Sequence, residues 1–376
     1  MTQRDTEAGA GRDPDGRLAR ARTELWRAVQ ARDEHAARLA VFGLLDGGAT
    51  AESALLDVIA PVQAKVGAEW AADRISVAQE HAATAIHDRI IAAMAHRDPP
   101  PAARAARAGA VAVTIACVDG EWHALPARIL AEVLRGRGHR VDFLGAQVPT
   151  PHLVAHLHRT APGVLALSSS IPTRLPQAHT AVTAVQAIGI PVLAGGAAFG
   201  RDGRYARLLG ADAWAPDARA AADLLDRGVP RPFPAGPRQV GDDLPHLTDQ
   251  EYTLVTRNKR QLVKNTLAGL EERLPGMQAY TDAQRERTAE DIAHIVDFLA
   301  TALYTDAVEV FTDFIGWTGD VLEARRVPAT ALLPGLDVLG EELKDFPRAL
   351  DFLARGRDVI DARDPRPPIP LTGTPA

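Results

Sequence analysis

At 376 residues the chain is long for one core and suits two or three domains. Charged residues make up 24% and hydrophobic ones 46%, the balance of a soluble globular protein, and a formal net charge of -6 argues against nucleic-acid binding, which needs clustered Lys and Arg. The single cysteine, Cys117, rules out an internal disulfide and suits a reducing cytoplasm, and with no signal peptide or long apolar span neither secretion nor membrane insertion is expected.

Residues 1–16 are rich in Gly, Asp and Arg without periodicity and read as a disordered N-terminus. Residues 17–97 are helical throughout. Leu18, Leu25, Trp26 and Val29 form one apolar stripe; Leu39, Val41, Phe42 and Leu45 a second; Leu55, Leu56, Ile59 and Val62 a third. Gly47-Gly48 breaks the second helix. Ser76 and Gln79 have the spacing of a capping box, opening a fourth helix with the stripe Ala78, Ala82, Ile86, Ile90. By count this is a four-helix bundle. Nine residues separate Trp70 from the pair Glu80-His81. A Trp at a helix end can be a core anchor and a Glu-His pair early in a helix can be surface polarity, so these residues alone leave a ligand-facing role open. His35 and His87 have no such context and read as surface residues.

Residues 108–228 alternate strands and helices. The apolar run Val111 to Val118 reads as a buried parallel strand, and an amphipathic helix through Leu130, Val133 and Leu134 follows it. Further strands are expected at Arg140 to Leu144, Val164 to Ser168, Pro191 to Ala194 and Ala211 to Ala213, with helices near Pro126, Thr150, Arg174 and Asp202. This alternation predicts a parallel α/β sheet of flavodoxin-like (Rossmann-like) order. Such order sets the ends of the first and third strands side by side, and ligands dock at that edge. His123 and Ser168 follow those two strands. A neutral imidazole is a good ligand for a transition metal, and a carboxylate on its second ring nitrogen fixes the tautomer and raises basicity. Glu121 is placed to do this, with Trp122 between. Taken alone, His123 is equally a solvated loop histidine.

Residues 229–246 contain Val-Pro-Arg-Pro-Phe-Pro and read as a stiff linker. Thr248 and Glu251 have capping-box spacing, as do Thr281 and Gln284, and residues 247–365 look all-helical, with Pro334 expected to kink or interrupt a helix. Residues 366–376 form a tail. Arg257, Arg260 and Lys264 share a helix face, and Tyr304, Phe311, Phe314 and Trp317 concentrate aromatic side chains. A flat conjugated ligand bearing carboxylates would want both, but a solvated basic face beside a helical core fits the same residues.

The spacing Glu121-x-His123-x-x-Pro126 resembles the Asp-x-His-x-x-Gly motif of cobalamin-binding domains, where the histidine replaces the cofactor's benzimidazole as lower ligand to cobalt. Leu167-Ser168-Ser169-Ser170 stands where that family has Ser-x-Leu, marking Ser168 and Ser170, and Gly195-Gly196 where it has a glycine pair. Small residues there imply room for the displaced nucleotide tail. Trp70-x9-Glu80-His81 is similar to the motif of adenosylcobalamin photoreceptors, light-released transcriptional repressors whose bundle covers the upper corrin face. That resemblance implies that Trp70 packs against the adenosyl group, that Glu80 and His81 flank it, and that His81 ligates cobalt after light. The whole order of parts looks like the photocobilins, which add a bilin in a globin-like domain related to phycobiliproteins. The resemblance implies biliverdin, bound noncovalently because no cysteine follows Cys117, with Arg257, Arg260 and Lys264 on its propionates and His294, Asp306 or Asp313 on its pyrrole nitrogens.

The expected protein is therefore a cytoplasmic light sensor and not an enzyme, binding adenosylcobalamin and biliverdin. It would act as a homodimer or on a downstream signalling protein, without nucleic acid or membrane as partner. The alternative is a corrinoid carrier subunit of a cobalamin-dependent methyltransferase system. A third is an interaction module that has lost its cofactor.

Overall fold

The first helices form where side chains close their open N-terminal turns. The structure is a computed structural model that describes residues 14–97, 109–228 and 249–363. The linker 229–246, the tail 366–376, Thr248 and most of the N-terminal segment therefore lie outside the described residues. Asp33 accepts from the Ala36 amide at 2.9 Å to start the helix Glu34–Asp46, and Thr50 accepts from Ser53 at 3.0 Å to start the next. The Ser76–Gln79 capping box is present in both directions, at 2.8 and 3.3 Å.

Two compact units result, one of Met1–Trp70, Arg74–Ala110 and Leu125–Val141, the other of Ala71–Asp73, Val111–Ala124 and Asp142–Ala376. These boundaries differ from those expected of three successive domains. Within the first unit Arg137 makes a bidentate pair with Glu52 at 2.9 Å for both bonds, fastening the end of helix Leu125–Gly136 to the short helix Ala51–Ser53. In the second unit the C-terminal helices are fastened to the sheet region by Tyr304, whose hydroxyl lies 2.5 Å from His179 Nδ1, and by an Arg204–Glu309 ion pair.

The first unit contains Pro14–Ala31, Glu34–Asp46, a helix built of Ala51–Ser53, π-helical Ala54–Ile59 and Ala60–Ala71, and then Val77–Arg97. Its core includes Leu25, Val41, Leu55, Ile59, Ile90 and Ile91. Burying each such side chain fully is worth about 1.5–3 kcal/mol. Two expected stripes are out of phase. Ala37, Ala40, Val41 and Leu44 face inward on the second helix, where small side chains allow close approach, and Leu39 is turned out at 59% exposure. On Val77–Arg97 the buried face runs through Ala83, Ile86, His87, Ile90 and Ile91, and Ala78 is exposed. The reading of His87 as a surface residue is thus overturned: it is fully buried, because an amide on another helix meets it.

The second unit holds most of the sheet. Strands β1 (Ala112–Cys117), β2 (Arg140–Gly145), β3 (Val164–Ser168), β4 (Val192–Gly195) and β5 (Ala213–Ala215) lie in the order β2-β1-β3-β4-β5. This is the flavodoxin-like order expected of a Rossmann-like sheet. The β1/β3, β3/β4 and β4/β5 pairs are parallel, and Cys117, Ser168, Gly195 and Ala215 fall in one register line at the carboxyl ends. β3 is buried along its whole length, which is why its sequence is a continuous apolar run.

The described residues after 249 form helices Glu251–Arg273, Asp282–Thr305, Val308–Ala324, Leu333–Glu342 and Pro347–Asp361, with short 3-10 turns between, and no strand. The Thr281–Gln284 capping box is formed. The expected Thr248–Glu251 box falls on Thr248, outside the described residues, but Glu251 has a further part. Its carboxylate is buried and accepts from the Arg348 and Ala349 amides at 3.1 and 2.9 Å, so it closes the first turn of the last helix. Pro334 starts the helix Leu333–Glu342 instead of kinking it, in the position where its missing N–H costs nothing.

Candidate metal centre

The loop after β1 is built around one buried carboxylate. Glu121 is 1% exposed, yet its side chain accepts from five donors. Oε1 takes the His123 amide at 2.9 Å and His123 Nδ1 at 2.6 Å. Oε2 takes the Ser170 amide at 2.7 Å, the Ser169 hydroxyl at 3.1 Å and the Ile171 amide at 3.2 Å. Burial by itself pushes this carboxyl's pKa up, but the hydrogen bonds from His123, Ser170 and Ile171 outweigh it and hold the value down at about 2. The group is therefore ionised at any physiological pH. Its backbone carbonyl also accepts from Gln147 after β2, so loops from three strand ends meet at this residue.

That arrangement dictates the state of the imidazole. With Nδ1–H donated to a carboxylate, the neutral ring carries its lone pair on Nε2, the tautomer that ligates a metal, and the negative partner raises its basicity. The His123 side chain is 54% exposed although Glu121 beneath it is sealed. Trp122, between them, is 73% exposed. Among the described residues no three His, Cys, Asp or Glu side chains form a metal-holding group. A single prepared imidazole suits a metal that arrives with its other ligands in a macrocycle.

The neighbouring strand ends are small, as expected. Gly196 has φ 101°, and a Cβ there would lie 2.2 Å from the Ser169 carbonyl oxygen, so only glycine lets β4's end pass so close to β3's. Gly195 is less constrained: a Cβ there would stand 3.6 Å from the nearest atom, Ala215's oxygen. Ser168 is buried and continues β3, its carbonyl accepting from Val118, while Ser170 contributes its backbone amide to Glu121. The serine whose hydroxyl reaches Glu121 is Ser169, which motif spacing passed over. The signal was strand parity, since Ser169 must point opposite to Ser168. Cys117 is buried beside this site, and burial first, then the Glu121 charge, pushes its thiol up to about 12. It is inert at neutral pH.

In the first unit Glu80 and His81 form a second carboxylate–imidazole pair, His81 Nδ1 lying 2.6 Å from Glu80 Oε2, with His81 74% exposed. Trp70 is half-buried near the end of its helix.

The residues nominated for a bilin lie on the helices after residue 249. Arg257, Arg260, Lys264, His294 and Asp313 are exposed, and Asp306 ends its helix and pairs with Arg348 at 2.8 Å. The aromatic group packs on itself and on neighbours. Phe311 is fully buried, Phe314 stacks on Phe298 at 3.8 Å, Tyr304 meets His179 and Tyr252, and Trp317 is 44% exposed. A cleft of about 180 Å³ between the helices is lined by Leu254, Val255, Asn258, Gln261, Leu262, Glu342, Leu343 and Phe346, none of them a nominated residue.

Comparison with known families accords with the geometry around Glu121. Residues 111–224 match a B12 binding domain, and residues 21–94 match a second B12 binding domain family. These matches support a cobalamin-binding protein. The sheet region that carries Glu121 and His123 lies within the first match, and Trp70, Glu80 and His81 lie within the second. No curated protein matches the chain. Among solved structures, the monomethylamine corrinoid protein of Methanosarcina barkeri is similar at 16% identity and TM-score 0.46, over 54% of this chain and 95% of its own. A cobalamin-binding protein from Desulfitobacterium hafniense DCB-2 is similar at 19% identity and TM-score 0.31, over 58% of this chain and 99% of its own. The methanol:cobalamin methyltransferase complex of Methanosarcina barkeri is similar at 17% identity and TM-score 0.31, over 60% and 88%. Likenesses at this level carry no argument about function. No helix among the described residues is long and apolar enough to cross a membrane.

Proposed function

We propose that this protein is a light sensor that binds adenosylcobalamin with His123 as the lower ligand to cobalt. The observation that carries the lower-ligand assignment is the fivefold hold on Glu121, which fixes the His123 ring in its metal-ligating tautomer before any ligand arrives. Ser168, Ser170, Gly195 and Gly196 keep the adjoining strand ends small for the nucleotide tail, and Trp122 is the exposed aromatic beside the ligand. Adenosylcobalamin, when bound, would supply a cobalt–carbon bond that visible light breaks. What supports the sensor reading is the spacing of Trp70, Glu80 and His81 together with the Glu80–His81 pair, which gives His81 the same Nδ1-bound state as His123. Trp70 would pack on the adenosyl group, with Glu80 flanking it, and His81 would ligate cobalt once that group has left. Output would pass through a homodimer interface or a downstream signalling protein in the cytoplasm, with no catalysis by this chain.

The proposal extends to biliverdin in a globin-like, phycobiliprotein-related third domain, held without a covalent bond since no cysteine follows Cys117. Its support is the order of parts. Arg257, Arg260 and Lys264 would hold propionates, and His294, Asp306 or Asp313 the pyrrole nitrogens. Protein made in cells supplied with both pigments should show a far-red band besides the cobalamin bands, and a spectrum without one removes the bilin.

The decisive experiment is green illumination of protein reconstituted with adenosylcobalamin. A changed cobalamin spectrum is expected, and an unchanged one contradicts the sensor. Preference for methylcobalamin in direct competition would instead assign the chain as a corrinoid carrier subunit of a methyltransferase system, and protein that stays colourless with both would assign it as an interaction module.

A further inference from the structure

Within the first unit a line of polar side chains runs through an otherwise apolar helix interface. Glu80, Thr84 and His87 stand at i, i+4 and i+7 on Val77–Arg97, and Gln63 projects from Ala60–Ala71. His87 Nδ1 lies 2.6 Å from Gln63 Oε1, Gln63 Nε2 lies 2.7 Å from Thr84 Oγ1, and Thr84 Oγ1 lies 2.8 Å from Glu80 Oε1. Glu80 Oε2 in turn meets His81 Nδ1 at 2.6 Å.

The donors and acceptors in this line admit one direction. A carboxylate only accepts, so the Thr84 hydroxyl donates to Glu80. Its oxygen then accepts from the Gln63 amide, which leaves the Gln63 carbonyl facing His87. His87 Nδ1 must donate, and its Nε2 keeps a lone pair that has no hydrogen-bond partner among the described residues. An orphaned polar atom in a fully buried ring costs on the order of 1–3 kcal/mol. A leucine would avoid that cost, so packing alone gives no account of His87.

We propose that Gln63, Thr84 and His87 are positioning residues, a buried hydrogen-bond line that holds the Glu80 carboxylate and through it the His81 ring. The assignment deepens the proposed upper-face role of Glu80 and His81 and rests on it for its functional meaning. Amides hold Glu121, but among the described residues no backbone amide holds the Glu80 carboxylate. Its free oxygen is steadied by one threonine, the threonine by one amide, and the amide by a ring locked in the core. By holding in place a carboxylate that can only accept, the line keeps His81 donating from Nδ1 and bearing its lone pair on Nε2.

The test uses full-length apoprotein with ¹⁵N-labelled histidine at about pH 8, above the ordinary histidine range. Neutral histidine in water prefers the proton on Nε2, so a His81 that is mainly Nδ1–H marks a held ring. Wild type and Thr84→Ser are expected to show that state. Thr84→Val and Gln63→Leu should lower the Nδ1–H to Nε2–H ratio by about fivefold or more, the change that one net hydrogen bond brings. Unchanged tautomer ratios in both variants, with the fold intact by circular dichroism, would overturn the proposal. Illumination of the adenosylcobalamin-loaded proteins then separates the two readings. A two-imidazole spectrum in wild type and Thr84→Ser, weakened in Thr84→Val, supports both. A wild type that never shows it removes the upper-face role of His81, while the apoprotein tautomers still decide whether the line positions the ring.

Discussion

Glu121–His123 and Glu80–His81 are chemically the same pair, an imidazole Nδ1 lying 2.6 Å from a carboxylate oxygen, yet they are held in opposite ways. The carboxylate of the first is 1% exposed and fixed by backbone amides and a serine; that of the second is 26% exposed and steadied by a single threonine. Backbone amides at the end of a strand cannot turn away, whereas a chain of side chains can rearrange. The difference teaches that the same two residue types can make a permanent ligand or one able to change partners, depending on what holds the acid.

The sharpest way to break this contrast is to remove the acid's charge in the caged pair. Glu121→Gln keeps the volume but sets an amide group among five donors, and unfolding in urea should show a loss of about 3–5 kcal/mol, with cobalamin affinity falling roughly 10–100-fold. A comparable loss from Glu80→Gln would erase the distinction; only a minor change is expected there. Gly196→Ala attacks the cage from behind. The new Cβ would meet the Ser169 oxygen at a backbone angle that favours glycine, and a loss of about 3 kcal/mol is expected by the same measurement.

His87 sharpens the contrast through pH. Burial pushes its pKa down to about 4, so the unfolded chain takes up a proton near 6.5 that the folded protein refuses. Stability is full above about 6.5 and falls as pH drops toward 4, by about 1.4 kcal/mol per pH unit from this group, or roughly 3 kcal/mol in all. His87→Leu should remove that slope. Glu121 works in a lower window: its folded value lies near 2 against 4.5 for the free group, so its contribution is present above 4.5 and is lost as pH falls through 2. Unfolding curves from pH 7 to 4 for the wild type and His87→Leu check the first statement, and extending the wild-type series to about pH 2 checks the second. The smallest effect expected is Ser169→Ala, which removes one of five donors and should cost about 1 kcal/mol while leaving His123 in place.

Much of this was legible in the residues. The sheet order followed from five strand signals and the alternation with helices, because strands buried on both faces must be continuous apolar runs. His123 and Glu121 were legible because metal ligation needs an oriented imidazole. What stayed hidden depends on partners far away in sequence. His87 is polar on an apolar face and becomes a core residue only because Gln63 on another helix meets it. Glu251 has the spacing of a local cap but serves the helix starting at Pro347, a contact that no local pattern encodes. Ser169 lost to its neighbours because motif matching weighs spacing and ignores which side of a strand a residue faces.

The most direct measurement of the central claim is the electron paramagnetic resonance spectrum of the protein loaded with cobalamin in the divalent cobalt state. If His123 is the lower ligand, its nitrogen splits each cobalt line into a triplet that becomes a doublet on labelling with ¹⁵N-histidine, and His123→Ala abolishes the label's effect. A triplet indifferent both to the label and to that substitution would show that the cofactor keeps its own base, and would contradict the account.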